Sequence, residues 1–350
     1  NTQSINEGHA HLFAYKKKGI HIRRKFLRLY PGFDLPAVSI KASENIFNHI
    51  FFFIISLMKL KLTIKFFELL PLSLPGALSK YTRKILNLVF RPRPHVDTTS
   101  IIDRIRAEWK YSTRTDWSFN DTGAFWDSVT DYDEVNKETY SYFRRFVDAF
   151  ECVDMPVNSY ILDLCSRTGY GTLYFSQRGK VKKSVCADFS RKMQSICEKR
   201  LKEARVNFEQ KLVFSIPLPF QNEEFDSTLS FETVEHVSDA GSFIQELARV
   251  TKKNGYIILT TPNVLWGPAH NIAAIFNIHH SEGPHRFLMR GKIRGFIRSA
   301  GLHIVKEKTT VLLPVGPKLF VRGGEWLEKR TQNTLTRVFG LRNIFICKKQ

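Results

Sequence analysis

Acidic residues are scarce in this 350-residue chain: 33 Asp and Glu stand against 53 Lys and Arg, a net charge of +20. Cysteine is scarcer still. The five cysteines, Cys152, Cys165, Cys186, Cys197 and Cys347, are odd in number and form no C-x-x-C pair. That argues against a disulfide framework or a zinc ribbon and suits a reducing, cytoplasmic setting. Long apolar runs are missing as well. The Phe-, Ile- and Leu-rich stretch 46–58 is broken by Asn48, His49 and Ser56, and a bilayer span needs about 20 apolar residues. No secretory signal is visible, but the chain starts at Asn1 rather than Met, so this absence carries no weight.

The basic excess is uneven. Residues 1–100 hold 16 basic and 5 acidic residues, a net of +11. Such asymmetry fits an anionic partner, either a membrane surface or nucleic acid, or else a solvated basic face. Within this region the apolar stretch is followed by Lys59, Lys61 and Lys65, then by L-P-L-S-L-P-G-A-L at 70–78. Residues 46–78 suit the membrane interface, with apolar groups inserted and lysines at the headgroups. The competing reading is a helix or lid packed on the following domain. Residues 1–95 are therefore expected to form a basic, aromatic, helical extension, peripheral to a membrane. R-P-R-P at 91–94 marks its end, 96–125 is read as a linker, and 126–350 as the second domain.

From residue 126 the chain becomes orderly. Tyr140, Phe143, Phe146, Val147 and Phe150 recur at helical spacing. Strands are expected at 160–164, 181–187, 206–214, 225–231 and 256–260, with helices at 172–177, 193–204 and 242–251. A helix at 291–300 and strands at 302–306 and 343–348 follow. Strands separated by helices imply an α/β, doubly wound, mostly parallel sheet of seven strands, the last two pairing as an antiparallel edge.

In such sheets ligands bind beyond the carboxyl ends of the strands. The loop after the first strand reads D-L-C-S-R-T-G over 163–169, and the second strand ends in V-C-A-D-F-S-R-K-M over 185–193. L-P-F at 218–220 precedes Glu224-Phe225-Asp226, and L-A-R-V-T-K-K-N-G-Y-I-I-L-T-T-P-N runs over 247–263. Together these resemble the motifs of class I, S-adenosylmethionine-dependent methyltransferases, of the type acting on quinones and lipids, across some 220 residues. The first loop corresponds to D-x-G-x-G-x-G, with Cys165 and Arg167 in place of two glycines. Glycine there allows positive φ and close approach of a ligand, so the loop is degenerate, and Arg167 would either swing away, meet the cofactor's carboxylate or fill the pocket.

The resemblance implies S-adenosylmethionine as cofactor. Asp163, Cys165, Thr168 and Gly169 would form its loop. Asp188 would accept both ribose hydroxyls, with Phe189 beside it, and Tyr132, in D-Y-D at 131–133, would lie near the cofactor. The acid that contacts adenine in relatives has no clear counterpart, since 211–214 is basic and apolar. After the fourth strand comes F-E-T-V-E-H-V over 231–237, where His236 is the candidate general base. Glu232, Glu235 and His236 also resemble a metal signature of some O-methyltransferases, though packing is the preferred reading and no metal is expected. His270, His279, His280 and His285 fall in 269–287, where relatives carry substrate-recognition elements. They are read as a polar lid, with metal or acidic-substrate binding as the alternative.

The expected activity is methyl transfer to a small-molecule, lipid or lipid-linked acceptor at a membrane surface. A non-catalytic binding protein of this fold is the alternative. A nucleic-acid methyltransferase is the least favoured, because the N-P-P-Y type tetrapeptide of base-flipping relatives is absent.

Overall fold

Among the described residues, seven strands form one sheet in the computed structural model, in the order β3-β2-β1-β4-β5-β7-β6. They are β1 (Ser159–Leu164), β2 (Val181–Asp188), β3 (Phe208–Leu212), β4 (Phe225–Phe231), β5 (Thr251–Pro262), β6 (Leu302–Thr310) and β7 (Arg342–Lys349). The structure describes residues 99–129, 132–137, 139–276, 279–314, 318–331 and 336–350. The expectations for 1–95, including a membrane-facing 46–78, lie outside these. No helix among the described residues is long and apolar enough to cross a membrane.

β1 to β5 pair in parallel, and β7 runs antiparallel between β5 and β6. The chain winds outward from β1 through β2 to β3, then returns to lay β4 on the other side of β1. The switch point thus lies between β1 and β4, where two loops diverge and leave a crevice. Because β7 is reversed, its first residue, Arg342, pairs with Pro262 and stands at the same edge as the carboxyl ends of β1, β4 and β5.

Strand pleating separates two cores. Leu162 and Leu164 of β1 join Val185, Phe225, Phe243 and Phe345 on one face. Ile161 joins Phe146, Phe175, Ile258 and Ile346 on the other. Parallel strands covered on both faces are apolar almost throughout, and β1 and β4 are buried along nearly their whole length. Helices α5 (Tyr170–Ser176), α6 (Arg191–Glu203), α7 (Ala240–Val250) and α9 (Arg290–Ser299) connect them. Ser190 caps α6 through Met193 N, and Asp239 caps α7 through the amides of Gly241 and Ser242, satisfying first-turn donors that have no partner inside the helix.

The 96–125 stretch is not simply a linker. Helices α1 (Ile101–Thr113) and α2 (Phe119–Ser128) occupy much of it, followed by α3 (Tyr132–Lys137) and α4 (Tyr140–Phe150). Ser118 closes α2 with a capping box to Asp121. The buried positions Phe119, Thr122, Gly123 and Trp126 keep helical spacing, but two of the four are Thr and Gly, which hides the helix from an apolar pattern. Part of 269–287 is likewise helical, α8 (Gly267–Ile275), and α10 (Lys318–Arg330) and α11 (Thr336–Phe339) follow β6. β3 is shorter than the expected 206–214. β5 is longer than 256–260 because its first residues pair with the start of β4.

Candidate active site

The loop after β1 adopts a backbone that glycines would serve, without the glycines at 165 and 167. Cys165 has φ 59°, Arg167 φ 50° and Gly169 φ 82°. Two left-handed non-glycine residues cost about 1–2 kcal/mol each, so the surrounding structure must hold them. The end of β2 does so: Cys165 N donates to Ala187 O at 2.8 Å, and Asp188 holds Arg167. One carboxylate oxygen accepts from Arg167 N at 2.8 Å and the other from Ser190 N at 2.9 Å. Gly169 caps α5, and a Cβ on it would meet Cys197 Sγ at 2.7 Å.

The predicted cofactor residues separate into two groups. Asp188, Phe189, Cys165 and Tyr132 lie buried around the switch point. Asp163 and Thr168 are turned to other partners. The Asp163 carboxylate accepts from Thr172 N at 3.0 Å and Thr172 Oγ1 at 2.8 Å, which ties β1 to α5. Thr168 Oγ1 donates to Asp133 on α3 at 2.8 Å, and Asp133 in turn pairs with Arg200 of α6. Burial pushes the Asp163 carboxyl up to about 7 and the Cys165 thiol well above its ordinary value. Burial also raises Asp188, against the pull of Arg167.

Helix α2 covers the ends of these strands. Phe119 stacks on Phe189 with centroids 4.3 Å apart. Gly123 comes so close that a Cβ there would meet Phe189 O at 2.3 Å. Asp127 accepts from Ser190 Oγ at 2.5 Å and Lys192 N at 3.0 Å. Beyond α2, a recess of about 460 Å³ is lined by Asn120, Asp127, Phe189, Arg191 and Phe214. On the inner side lies a cavity of about 50 Å³, lined in part by Trp126, Tyr132, Arg145, Arg167, Glu232, His236 and Glu282. The guanidinium of Arg167 lies 4.1 Å from the Trp126 ring centroid.

His236 sits in the 3₁₀ turn after β4 and lines this cavity. Its Nδ1 lies 3.0 Å from Pro284 O. A carbonyl only accepts, so Nδ1 carries the proton and Nε2 the lone pair. Burial, then the neighbouring Arg167 charge, holds its pKa well below the ordinary value, so the ring is neutral. Its backbone carbonyl accepts from Trp117 Nε1 at 2.7 Å and Thr122 Oγ1 at 3.0 Å, which anchors α2 to the turn.

Glu232 is set apart from His236 by its partners. Arg145 reaches it at 2.7 Å and Arg342 also pairs with it. Burial works against its charge, but the two guanidiniums keep its carboxyl below the usual value. Glu235 is the reverse: burial, reinforced by Glu232, raises its pKa well above the ordinary value. Glu232, Glu235 and His236 do not gather into a metal-ligating cluster among the described residues. His279, His280 and Glu282 do. Arg145 and Arg342 had no sequence signal, since they stand nearly 200 residues apart and meet only through the β5–β7 pairing.

The fit of a nucleoside cofactor is testable on unpaired groups. Trp126 Nε1, Ser166 Oγ and Arg167 Nη1 are buried without hydrogen-bond partners around the β1 loop. Buried polar atoms of this kind call for a ligand or water. With the Asp188 carboxylate, the left-handed loop and the recess at Phe189, the donor set fits the group. The space at the loop does not yet match it, since ligand pockets run to about 300–1,000 Å³ and α2 with Arg167 fills the inner side.

Residues 162–259 match the family model described as a methyltransferase domain. A demethylmenaquinone methyltransferase of Thermobifida fusca is 31% identical over 146 residues, which is 40% of this chain and 60% of that protein. A malonyl-[acyl-carrier protein] O-methyltransferase of a Marinomonas species is 23% identical over 174 residues, 49% of this chain and 63% of that protein. The chain thus spans about three fifths of the length of these curated relatives. Among solved structures, a geranyl diphosphate C-methyltransferase of Streptomyces coelicolor aligns with TM-score 0.48 at 11% identity, over 68% of this chain and all of that one. Over residues 162–259 the chain is thus similar to a methyltransferase domain, and the switch point, the acid at the end of β2 and the reversed β7 belong to the sheet built around that stretch.

Proposed function

We propose that this chain transfers a methyl group from S-adenosylmethionine to a small-molecule or lipid-type acceptor. The observation that carries this is Asp188: a buried carboxylate at the end of β2 that organises a left-handed loop beside the switch point. Its two oxygens would take the ribose hydroxyls, Phe189 and Phe214 would line the adenine side, and Arg167 would meet the carboxylate of the amino-acid part. When bound, the cofactor supplies an activated methyl group, and the protein's task is to orient two reactants and exclude water. The burial of the cavity does the second.

His236 is the proton acceptor in this reading. Its neutral ring, with Nδ1 held by Pro284 O, offers Nε2 to an acceptor hydroxyl in the cavity. Arg145 and Arg342 stabilise negative charge on the same wall. The names of the relatives, a quinone and an acyl-carrier O-methyltransferase among them, support an acceptor of lipid type. The basic residues of 1–100 support work at a membrane surface, and nucleic acid has the least support.

Equilibrium dialysis with labelled S-adenosylmethionine tests the reading. Saturable binding is expected, weakened at least about tenfold in Asp188→Ala through the loss of charge-assisted bonds. No binding at millimolar cofactor overturns it. A second reading, a non-catalytic binding protein, draws on the narrow cavity with Arg167 inside it. It gains if neither the natural chain nor Arg167→Gly binds the cofactor.

A further inference from the structure

We propose that His279, His280 and Glu282 form a binding site for a first-row divalent metal ion in the wall of the inner cavity. The site stands apart from the methyl-transfer reading and holds whether or not that reading does. The donor atoms of the three side chains all lie within 4.8 Å of one another, and all three residues line the cavity. Donors on one tetrahedral ion, each bound at ~2.1 Å, sit about 3.4 Å apart. Small side-chain rotations close the difference.

The backbone prepares both imidazoles. His279 Nδ1 lies 3.1 Å from His280 O, and His280 Nδ1 lies 2.9 Å from Ser281 O. Carbonyls only accept, so each Nδ1 carries the proton and each Nε2 presents a lone pair. This is the arrangement that fixes the tautomer of metal-binding histidines and raises their basicity. Asn136 Nδ2 stands 3.5 Å from His280 Nε2, a long contact that a cation displaces. The rings have centroids 4.1 Å apart, inclined by 50°, so they are tilted rather than stacked.

The loop that carries them is fastened down. Arg286 N donates to Glu235 O at 2.7 Å, and Gly283 N to Ser281 Oγ at 3.0 Å. Gly283 has φ 68° and lies against the Phe125 ring, where a Cβ would approach to 2.3 Å. His270 Nδ1 lies 3.7 Å from Glu282 Oε1, and its Nε2 is buried without a partner. His270 thus stands beside the carboxylate, outside the three ligands. Two imidazoles and one carboxylate suit zinc, cobalt or nickel, with the remaining position open to the cavity.

The test uses the full chain, stripped with chelator and titrated with Zn²⁺ and, as a spectroscopic probe, Co²⁺. About one equivalent of zinc survives dialysis, and Co²⁺ develops the visible bands of a low-symmetry nitrogen–oxygen site. Glu282→Gln weakens binding about tenfold or more, and His279→Ala/His280→Ala removes the equivalent while keeping the native circular dichroism and a cooperative melt. His303→Ala, at an exposed position of β6, leaves binding intact. A cobalt spectrum unchanged from the aqueous ion, or a full equivalent retained by the double variant, overturns the site. The spectrum of the unsubstituted chain decides the matter even if the double variant fails to fold.

Discussion

Asp163 shows how far one residue can be read. Its position at the end of a strand was evident from the sequence, and the family pattern assigned it to the cofactor loop. The pleat turns its carboxyl to the face of β1 that carries Ile161, where it binds Thr172 on α5. Burial raises its pKa to about 7 from 3.8. A group raised in the folded state contributes stability below its unfolded pKa and loses it as pH climbs through the folded value. The shift corresponds to on the order of 4 kcal/mol. Denaturant titrations from about pH 4 to about pH 8 should therefore show this chain losing stability relative to Asp163→Asn. A difference that stays constant over that window would mean the carboxyl ionises freely. Cys165 and Arg167 carry the complementary lesson. Their departure from glycine was legible, but that the backbone takes positive φ there regardless was not, because the restraint comes from Ala187 and Asp188 on another strand.

At the scale of elements, the Glu232 cluster holds three pieces together. Glu232 follows β4, Arg145 lies on α4 and Arg342 opens β7. Arg342 also donates to Ser141 O at 2.9 Å. Removing one member of a buried charge cluster leaves its partners uncompensated, at a cost of about 3–5 kcal/mol. Glu232→Gln is expected to lose stability of that order in chemical denaturation. A loss under about 1 kcal/mol would show that water reaches the guanidiniums. The E-x-x-E-H spacing was legible and suggested a metal signature. The pairing that commits Glu232 to arginines was not, since it depends on antiparallel β7 bringing residue 342 back to the carboxyl edge. Helix α2 was missed for a different reason. Its buried residues Phe119, Thr122, Gly123 and Trp126 fall at helical spacing, but only Phe119 and Trp126 among them are large and apolar, so the stripe reads weakly from the sequence.

Over the whole molecule, charge is the dominant unassigned property. More than half of the net +20 comes from residues 1–100. Basic segments near an anionic bilayer gain about 1 kcal/mol per residue, and salt screens the attraction. Co-sedimentation with phosphatidylserine vesicles is expected at low salt, falling steeply by about 0.5 M salt and absent with neutral vesicles. Equal binding to both vesicle types would remove the electrostatic part of the membrane proposal. The exposed Ile102, Ile105 and Trp109 of α1, which follow that basic region in the sequence, add apolar surface.

The sequence by itself determined the sheet. Apolar strands alternating with helices, an acid at the end of β2 and the 247–263 run are local signals, and local signals survive without knowledge of the fold. It also marked His236 and the histidines of 269–287 as chemistry-bearing. Only the tertiary structure decided which of them meet. It withdrew Asp163 and Thr168 into structural bonds, placed two arginines on Glu232, laid α2 over Phe189, and gathered His279, His280 and Glu282 at one cavity. Those outcomes depend on contacts between residues distant along the chain, and such contacts follow from strand order and the direction of β7, which no short window of sequence contains.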